Sequence, residues 1–149
     1  MFKNILMIGL TLLAGFLSPL QMGMNSTLGK YLQHPLWAAL WNSSLAILIF
    51  LMAIIALKVP IPSIGLIGSS PLWSFFGGVI GALFILVGIL FAPKLGAVLF
   101  MALVIAATFT MSVILDHFGL AGYPIKPITF WRVIGLIVMY LGVLIIQKG

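Results

Sequence analysis

The 149-residue sequence has 64% hydrophobic residues, 5% charged residues and a mean hydropathy of +1.37. Such a chain cannot keep a soluble surface polar, so we expect lipid to be its solvent. The net charge of +6 comes from basic residues spread one or two per connection, which is typical of helix-end anchors and not of a nucleic-acid surface. Cysteine is absent, which excludes disulfides, thiolate metal sites and cysteine nucleophiles.

Five long apolar runs dominate the sequence, and each can cross a hydrocarbon core of about 30 Å as a helix. None shows the alternating ten-residue pattern of a membrane barrel strand. We therefore predict an all-α integral membrane protein, a single transmembrane domain over residues 1–149 with about five spans. The runs are about Ile5 to Met24, Leu36 to Leu57, Leu72 to Phe91, Leu95 to Leu115, and Ile128 to Gln147.

Proline placement agrees with these boundaries, because proline is tolerated in a first helical turn and disfavours a helical residue before it. Pro19 alone is expected inside a span, where it frees a backbone carbonyl and can kink the helix. That kink could be purely structural or could shape a binding cavity. The other prolines are expected at or between the spans: Pro35, Pro60, Pro62, Pro71, Pro93, Pro124 and Pro127.

The first span imitates a signal peptide, since Lys3 precedes an apolar stretch. The stretch is too long and lacks a small-x-small cleavage pattern before Gln21, so we expect it to remain as a helix. Small and polar residues recur along it at three- and four-residue steps, which places them on one face. They are Thr11, Ala14, Ser18, Gln21 and Asn25.

This polar face is expected to meet protein or water and not lipid. Gln21 and Asn25 lie one turn apart, and each amide can donate and accept, which suits an uncharged polar ligand group. The alternative is that both amides bond neighbouring helices.

The second span carries Trp41 and Asn42 about 10 Å inside Pro35, at 1.5 Å per residue. Asn42 is too deep for a lipid face and is a candidate for lining a cavity. Trp41 could offer a stacking surface there or could anchor the span at the interface. We expect Ser43 and Ser44 to bond backward to the backbone.

The third span places small residues on roughly one face, and small residues let helix backbones approach closely. We interpret this face as a packing surface, within one subunit or between two. Its members are Ser74, Gly78, Gly81 and Gly88, and Gly77 forms a GxxxG pair with Gly81.

The fourth span carries Thr108, Ser112 and Asp116 at four-residue steps on one face. Asp116 is the only acidic residue and lies near the end of the span. A carboxylate there costs far less free energy than one at the membrane midplane. It could form an ion pair with Arg132 or Lys126 that fixes the fourth connection. It could instead act as a proton carrier.

The sequence offers no catalytic constellation. His34 and His117 lack a partnering cluster of cysteine or acidic residues beyond Asp116, so we expect no metal, no cofactor and no enzyme activity.

The basic residues also bear on membrane orientation, which follows the asymmetry of Lys and Arg in short loops. With five spans, one side of the membrane carries four basic residues and the other carries three, so the preference for one orientation is weak. Two copies inserted oppositely would form a ten-helix inverted pair, the symmetry of alternating-access transporters. One side holds Lys3, Lys58, Lys126 and Arg132, and the other holds Lys30, Lys94 and Lys148.

Five motifs follow one another over nearly the whole chain. They are Gln21-Met-Gly-Met-Asn25-Ser-Thr-Leu-Gly29-Lys30, then Pro71-Leu-Trp73 with Gly77-Gly78-Val-Ile-Gly81-Ala, then Pro93-Lys-Leu-Gly96, Asp116-His117-Phe118-Gly119 and Arg132-Val-Ile-Gly135. None is specific alone, but in this order and spacing the chain resembles the YdcZ-type family of the drug/metabolite transporter superfamily.

The resemblance implies a multi-pass bacterial inner-membrane protein, half the usual ten-helix size, that exports a small molecule. It also implies a homodimer, or a heterodimer with a paralogous half-size chain, but supplies no substrate. Thr108 stands where many relatives are expected to carry glutamine, so substrate preference here could differ.

We therefore expect a secondary transporter of a small metabolite or drug-like molecule, working as an antiparallel dimer. A permanently cationic substrate is disfavoured, because no acid lies at mid-membrane. The competing interpretation is a non-transporting scaffold or an accessory subunit of another transporter.

Overall fold

The computed structural model describes the backbone of residues 2–149 and the side chains from Asn4 onward; the Lys3 side chain, assigned above as an anchor, lies outside the described residues. The regular structure of this part of the chain is helical. It comprises α1 (Phe2–Tyr31), α2 (Pro35–Ala56), α3 (Ile64–Gly68), α4 (Gly77–Leu95), α5 (Ala97–Phe118) and α6 (Phe130–Ile146), with 3-10 turns at Leu72–Phe76 and Leu120–Gly122.

Four helical segments are long and apolar enough to cross a membrane, and α6 is a shorter apolar helix of 17 residues. The prediction of an all-α membrane protein of about five spans is thereby confirmed. The four segments are Asn4–Tyr31, Pro35–Ala56, Leu72–Leu95 and Ala97–Phe118.

The first helix continues beyond the predicted end at Met24 and stops only at Tyr31. The added turns contain three buried residues with small or polar side chains, Asn25, Ser26 and Gly29. Tertiary packing therefore keeps a segment helical that hydropathy alone assigned to a connection. The chain turns at Gln33, whose φ is +60°, and α2 begins with Pro35 at its first position. His34 caps α2, because its Nδ1 accepts a hydrogen bond from the Leu36 N–H at 3.2 Å.

One proline prediction was wrong: Pro93 lies inside the last turn of α4 and not between spans. A proline has no N–H, so Pro93 leaves the carbonyl of Ile89, four residues earlier, without its helical donor. The hydroxyl of Ser26 in α1 donates to that carbonyl at 3.4 Å. A neighbouring serine thus replaces the missing helical bond, which is one way membrane helices tolerate proline.

The chain divides into two compact units, the first ending at Pro93 and the second covering Lys94–Gly149. The first unit packs α1 against α2 and α4. A Cβ added at Gly29 would touch Ile89, Pro35 and Ala38, and one added at Gly88 would overlap the Met22 side chain. These two glycines therefore permit the close approach of the helices.

The small-residue face predicted for the third span has two parts in the structure, one packed within the chain and one open. Gly88 packs on Met22 within the chain, whereas Gly77, Gly78 and Gly81 have no neighbouring atom within 4 Å of where a Cβ would be. These three glycines lie in the N-terminal part of α4, and we call them the open glycine face.

The second unit is the α5–α6 hairpin. The hydroxyls of Thr110 in α5 and Tyr140 in α6 lie 3.0 Å apart, and Thr110 Oγ1 also bonds the Ala106 carbonyl at 2.8 Å. Helix α5 ends at Phe118, and the following residue, Gly119, has a φ of +62°, the left-handed conformation that closes many helices.

Candidate functional site

Three amide side chains meet between α1 and α2. The Oδ1 atom of Asn42 accepts hydrogen bonds from Gln21 Nε2 at 3.2 Å and from Asn25 Nδ2 at 3.1 Å. Gln21 and Asn25 can share one acceptor because they lie one turn apart on α1. We call these three residues the amide cluster.

The cluster retains hydrogen-bonding capacity beyond these two bonds. Each amide carries two N–H donors and a carbonyl that accepts. The Asn42 Nδ2 group and the carbonyl oxygens of Gln21 and Asn25 are not used in the bonds that join the three side chains. Donors and acceptors therefore stand side by side without any net charge.

The three residues of the amide cluster differ in how deeply they are buried. Asn25 is 9% exposed, Asn42 is half-buried and Gln21 is exposed. Gln21 is therefore the most accessible of the three amides and Asn25 the least accessible.

The remainder of the polar face on α1 is used within the helix. Ser18 Oγ bonds the Ala14 carbonyl at 3.2 Å, and Thr11 Oγ1 bonds the Met7 carbonyl at 2.9 Å. Pro19 is half-buried within α1, two residues before Gln21, the first residue of the amide cluster. The structure therefore places the polar contacts between α1 and α2 in the C-terminal half of α1.

Trp41 lies apart from the amide cluster. It lines a cavity of about 420 Å³ together with Leu32, Trp37, Leu40 and Ser44. Ser44 Oγ bonds back to the Leu40 carbonyl at 2.9 Å, as predicted. The structure brings Gln21, Asn25 and Asn42 together but leaves Trp41 on another surface of α2.

A second group of candidate residues joins α5 to the start of α6. Arg132 Nη1 lies 3.4 Å from Asp116 Oδ2 and donates to the Lys126 carbonyl at 3.2 Å. The Lys126 backbone N–H donates to the Asp116 carbonyl at 2.7 Å. The side chain of Arg132 therefore pairs with Asp116, while Lys126 contributes through its backbone.

This ion pair borders a groove of about 400 Å³ between α5 and α6, which we call the hairpin groove. Ser112 lines it, but Thr108, on the same predicted face of α5, does not. The lining residues are Phe109, Ser112, Val113, Asp116, Arg132, Gly135, Leu136 and Met139.

Sequence reasoning missed three polar contacts. The Ser26–Ile89 hydrogen bond joins residues that are 63 positions apart, so no local sequence pattern predicts it. His117 Nδ1 accepts from the Ile128 N–H at 3.2 Å and so holds the connection that follows α5. The Thr110–Tyr140 contact could have been suspected, because a tyrosine hydroxyl inside an apolar span needs a partner.

The model of one protein family, described as "Putative inner membrane exporter, YdcZ", matches residues 6–145. The matched range contains the amide cluster, the Asp116–Arg132 pair and all of the helices except the first four residues of α1 and the last residue of α6. The comparisons with curated proteins and with solved structures matched nothing. Because the family model covers nearly the whole sequence, the chain belongs to the YdcZ family of inner-membrane exporters.

Proposed function

We propose that the chain exports a small, uncharged polar metabolite or drug-like molecule by alternating access, and that the amide cluster recognises it. The main support is the shared Asn42 Oδ1 acceptor, which brings three amide side chains together between two predominantly apolar helices. A site of neutral donors and acceptors suits hydroxyl, amide or carbonyl groups on a ligand.

The charges of the first unit support an uncharged substrate. Asp116, the only acidic residue of the chain, belongs to the second unit and is paired with Arg132. A cation bound at the amide cluster would find no carboxylate among the three side chains that form it. An anion would likewise find no basic group among them.

We further propose that the transporting form is an antiparallel dimer, of two identical chains or of this chain with a paralogous half-size chain. The open glycine face supports this proposal, because small residues let helices of two subunits approach closely. The near balance of basic residues between the two sides supports insertion in both orientations. Ten helices related in this way would have the inverted symmetry that alternating access uses.

Transport by the chain alone can be tested with liposomes that contain the purified protein. The liposomes are preloaded with a filtered extract of cytoplasmic small molecules, and mass spectrometry follows the loss of each compound. We expect at least one uncharged polar compound to leave faster than from empty liposomes. Asn42→Leu, which removes the shared acceptor, should abolish that difference.

Ser44→Ala is the matched control, because Ser44 lies on the same helix, is no member of the amide cluster, and its hydroxyl bonds the Leu40 carbonyl of α2. This variant should export as the wild type does. If liposomes with the purified chain lose no compound faster than empty ones, the transporter proposal fails. An accessory role beside another membrane protein would then be favoured.

A further inference from the structure

The hairpin groove combines a charged end with an apolar interior. Asp116 and Arg132 stand at one end, and Phe109, Val113, Leu136 and Met139 line the rest. Phe109 precedes Asp116 by seven residues and Met139 follows Arg132 by seven. At 1.5 Å per residue, the apolar lining therefore extends about 10 Å away from the charges.

The charged end lies where a membrane helix meets the interface. Asp116 is two residues before the end of α5 at Phe118, and Arg132 is two residues after the start of α6 at Phe130. Ionisable groups at helix ends lie at headgroup level, and the apolar part of the groove then runs toward the hydrocarbon. This arrangement matches the order of polar and apolar parts in a phospholipid.

The ion pair itself is loose. Its 3.4 Å separation exceeds the roughly 2.7–2.9 Å of a strong charge-assisted hydrogen bond. The side chains of Arg132 and Asp116 remain 32% and 26% exposed, so a ligand can reach both. Groups inserted at this end can therefore make closer contacts than the two residues make with each other.

Charge decides which headgroup fits. A ligand with only an anionic group would occupy Arg132 and leave Asp116 uncompensated, and a purely cationic ligand would do the reverse. A headgroup with a phosphate and a primary ammonium compensates both residues. A trimethylammonium lacks N–H groups and cannot donate to the Asp116 carboxylate.

We propose that the hairpin groove binds one aminophospholipid of the bilayer, with its phosphate on Arg132, its ammonium on Asp116 and an acyl chain along the apolar lining. Gly135 makes room for this lipid, since it lines the groove and a Cβ there would meet no atom within 4 Å. The inference is independent of the proposed transport.

The test measures lipid binding to the purified full chain by native mass spectrometry. Phosphatidylethanolamine, phosphatidylcholine and phosphatidylglycerol with identical acyl chains are added separately. Phosphatidylethanolamine should bind about tenfold more tightly than the other two, because a hydrogen bond to a charged group contributes at least about that factor. Gly135→Phe, which fills the groove, should reduce this binding by about tenfold.

Gly142→Phe is the control, because Gly142 lies two turns further along α6, has the same open space and does not line the groove. It should bind phosphatidylethanolamine as the wild type does. If Gly135→Phe loses helicity by circular dichroism, Gly135→Leu replaces it with the same expected direction.

Three outcomes would overturn the proposal. Equal binding of phosphatidylglycerol or phosphatidylcholine would show that the paired charges do not select the headgroup. Unchanged binding in a folded groove-filling variant would place the lipid elsewhere. Displacement of the lipid by equimolar glycerophosphoethanolamine, which has no acyl chains, would identify a site for a free zwitterion.

Discussion

The Ser26 hydroxyl in α1 donates a hydrogen bond to the Ile89 carbonyl in α4 across 3.4 Å. That carbonyl lacks its helical donor because Pro93 has no N–H. Ser26 and Ile89 are both buried, so removal of the Ser26 hydroxyl would leave the Ile89 carbonyl unpaired and away from water. The Ser26–Ile89 bond therefore joins α1 to α4 at the point where α4 lacks one of its own helical hydrogen bonds.

We expect Ser26→Ala to lower the free energy of unfolding by about 1 kcal/mol, within the range for a buried acceptor left unpaired. In a Pro93→Ala background the backbone N–H of residue 93 can serve the Ile89 carbonyl, so the same change should cost almost nothing. Unfolding in mixed micelles measures both values. Thr27→Ala, at an exposed neighbouring position, should be neutral. Equal costs of Ser26→Ala in the two backgrounds would contradict the coupling.

The open glycine face supports a second prediction. Gly81→Ile adds bulk where a Cβ would meet no atom within 4 Å beyond the adjacent residues and backbone of its own helix, so it should leave the helical content unchanged. If two subunits approach there, the variant should weaken the dimer by about tenfold or more, since close backbone approach is lost. Subunit exchange between fluorescently labelled chains in liposomes measures this. Gly9→Ile, equally open but on α1, should not affect the dimer.

Hydropathy and prolines predicted the helices well, because the bilayer requires long apolar segments with every backbone group paired internally. The prediction erred where tertiary contacts override local signals. Helix α1 runs past Met24 because Asn25 and Gly29 are buried, and Pro93 is accommodated inside α4 because Ser26 supplies a donor. Neither partner is visible from the local sequence.

The candidate site was foreseeable only in part. Helical spacing placed Gln21 and Asn25 on one face, and depth singled out Asn42, but no pattern within one span shows that α1 and α2 bring them together. Spacing likewise could not separate Ser112, which lines the hairpin groove, from Thr108, which does not. Partners across helices depend on packing, which a single sequence does not specify.

Membrane orientation can be tested with reporters fused to the end of the chain. The four-to-three division of basic residues predicts that both orientations occur in cells. One additional lysine beside Lys148 should shift the population toward a cytoplasmic C-terminal end. A single uniform orientation, with no paralogue of the reverse orientation in the same cell, would exclude the antiparallel dimer.

Access to the amide cluster can be measured with single cysteines in this cysteine-free chain. Gln21→Cys should react readily with a water-soluble thiol reagent, and Ser18→Cys should follow, because Gln21 is exposed and Ser18 half-buried. Asn25→Cys should react most slowly of the three, since Asn25 is 9% exposed.

Leu17 and Leu20 provide the matched controls on the same turns of α1. Both side chains are exposed on an apolar surface that we expect to face lipid, where the reagent does not dissolve. Their cysteine variants should therefore react much less than Gln21→Cys. Similar protection at all five positions would indicate tight helix packing without an aqueous cavity.

The Asp116–Arg132 ion pair predicts that Arg132, and not Lys126, compensates the charge of Asp116. Asp116→Asn keeps the side-chain size but removes the charge, which leaves the half-buried Arg132 uncompensated. We expect the free energy of unfolding in detergent to fall by about 1 kcal/mol, near the upper end for partly exposed pairs. Adding Arg132→Gln should recover part of this loss. Adding Lys126→Gln should not, because Lys126 joins the pair through its backbone. If Asp116→Asn leaves stability unchanged but removes the pH dependence of transport, Asp116 acts as a proton carrier and not as a structural partner.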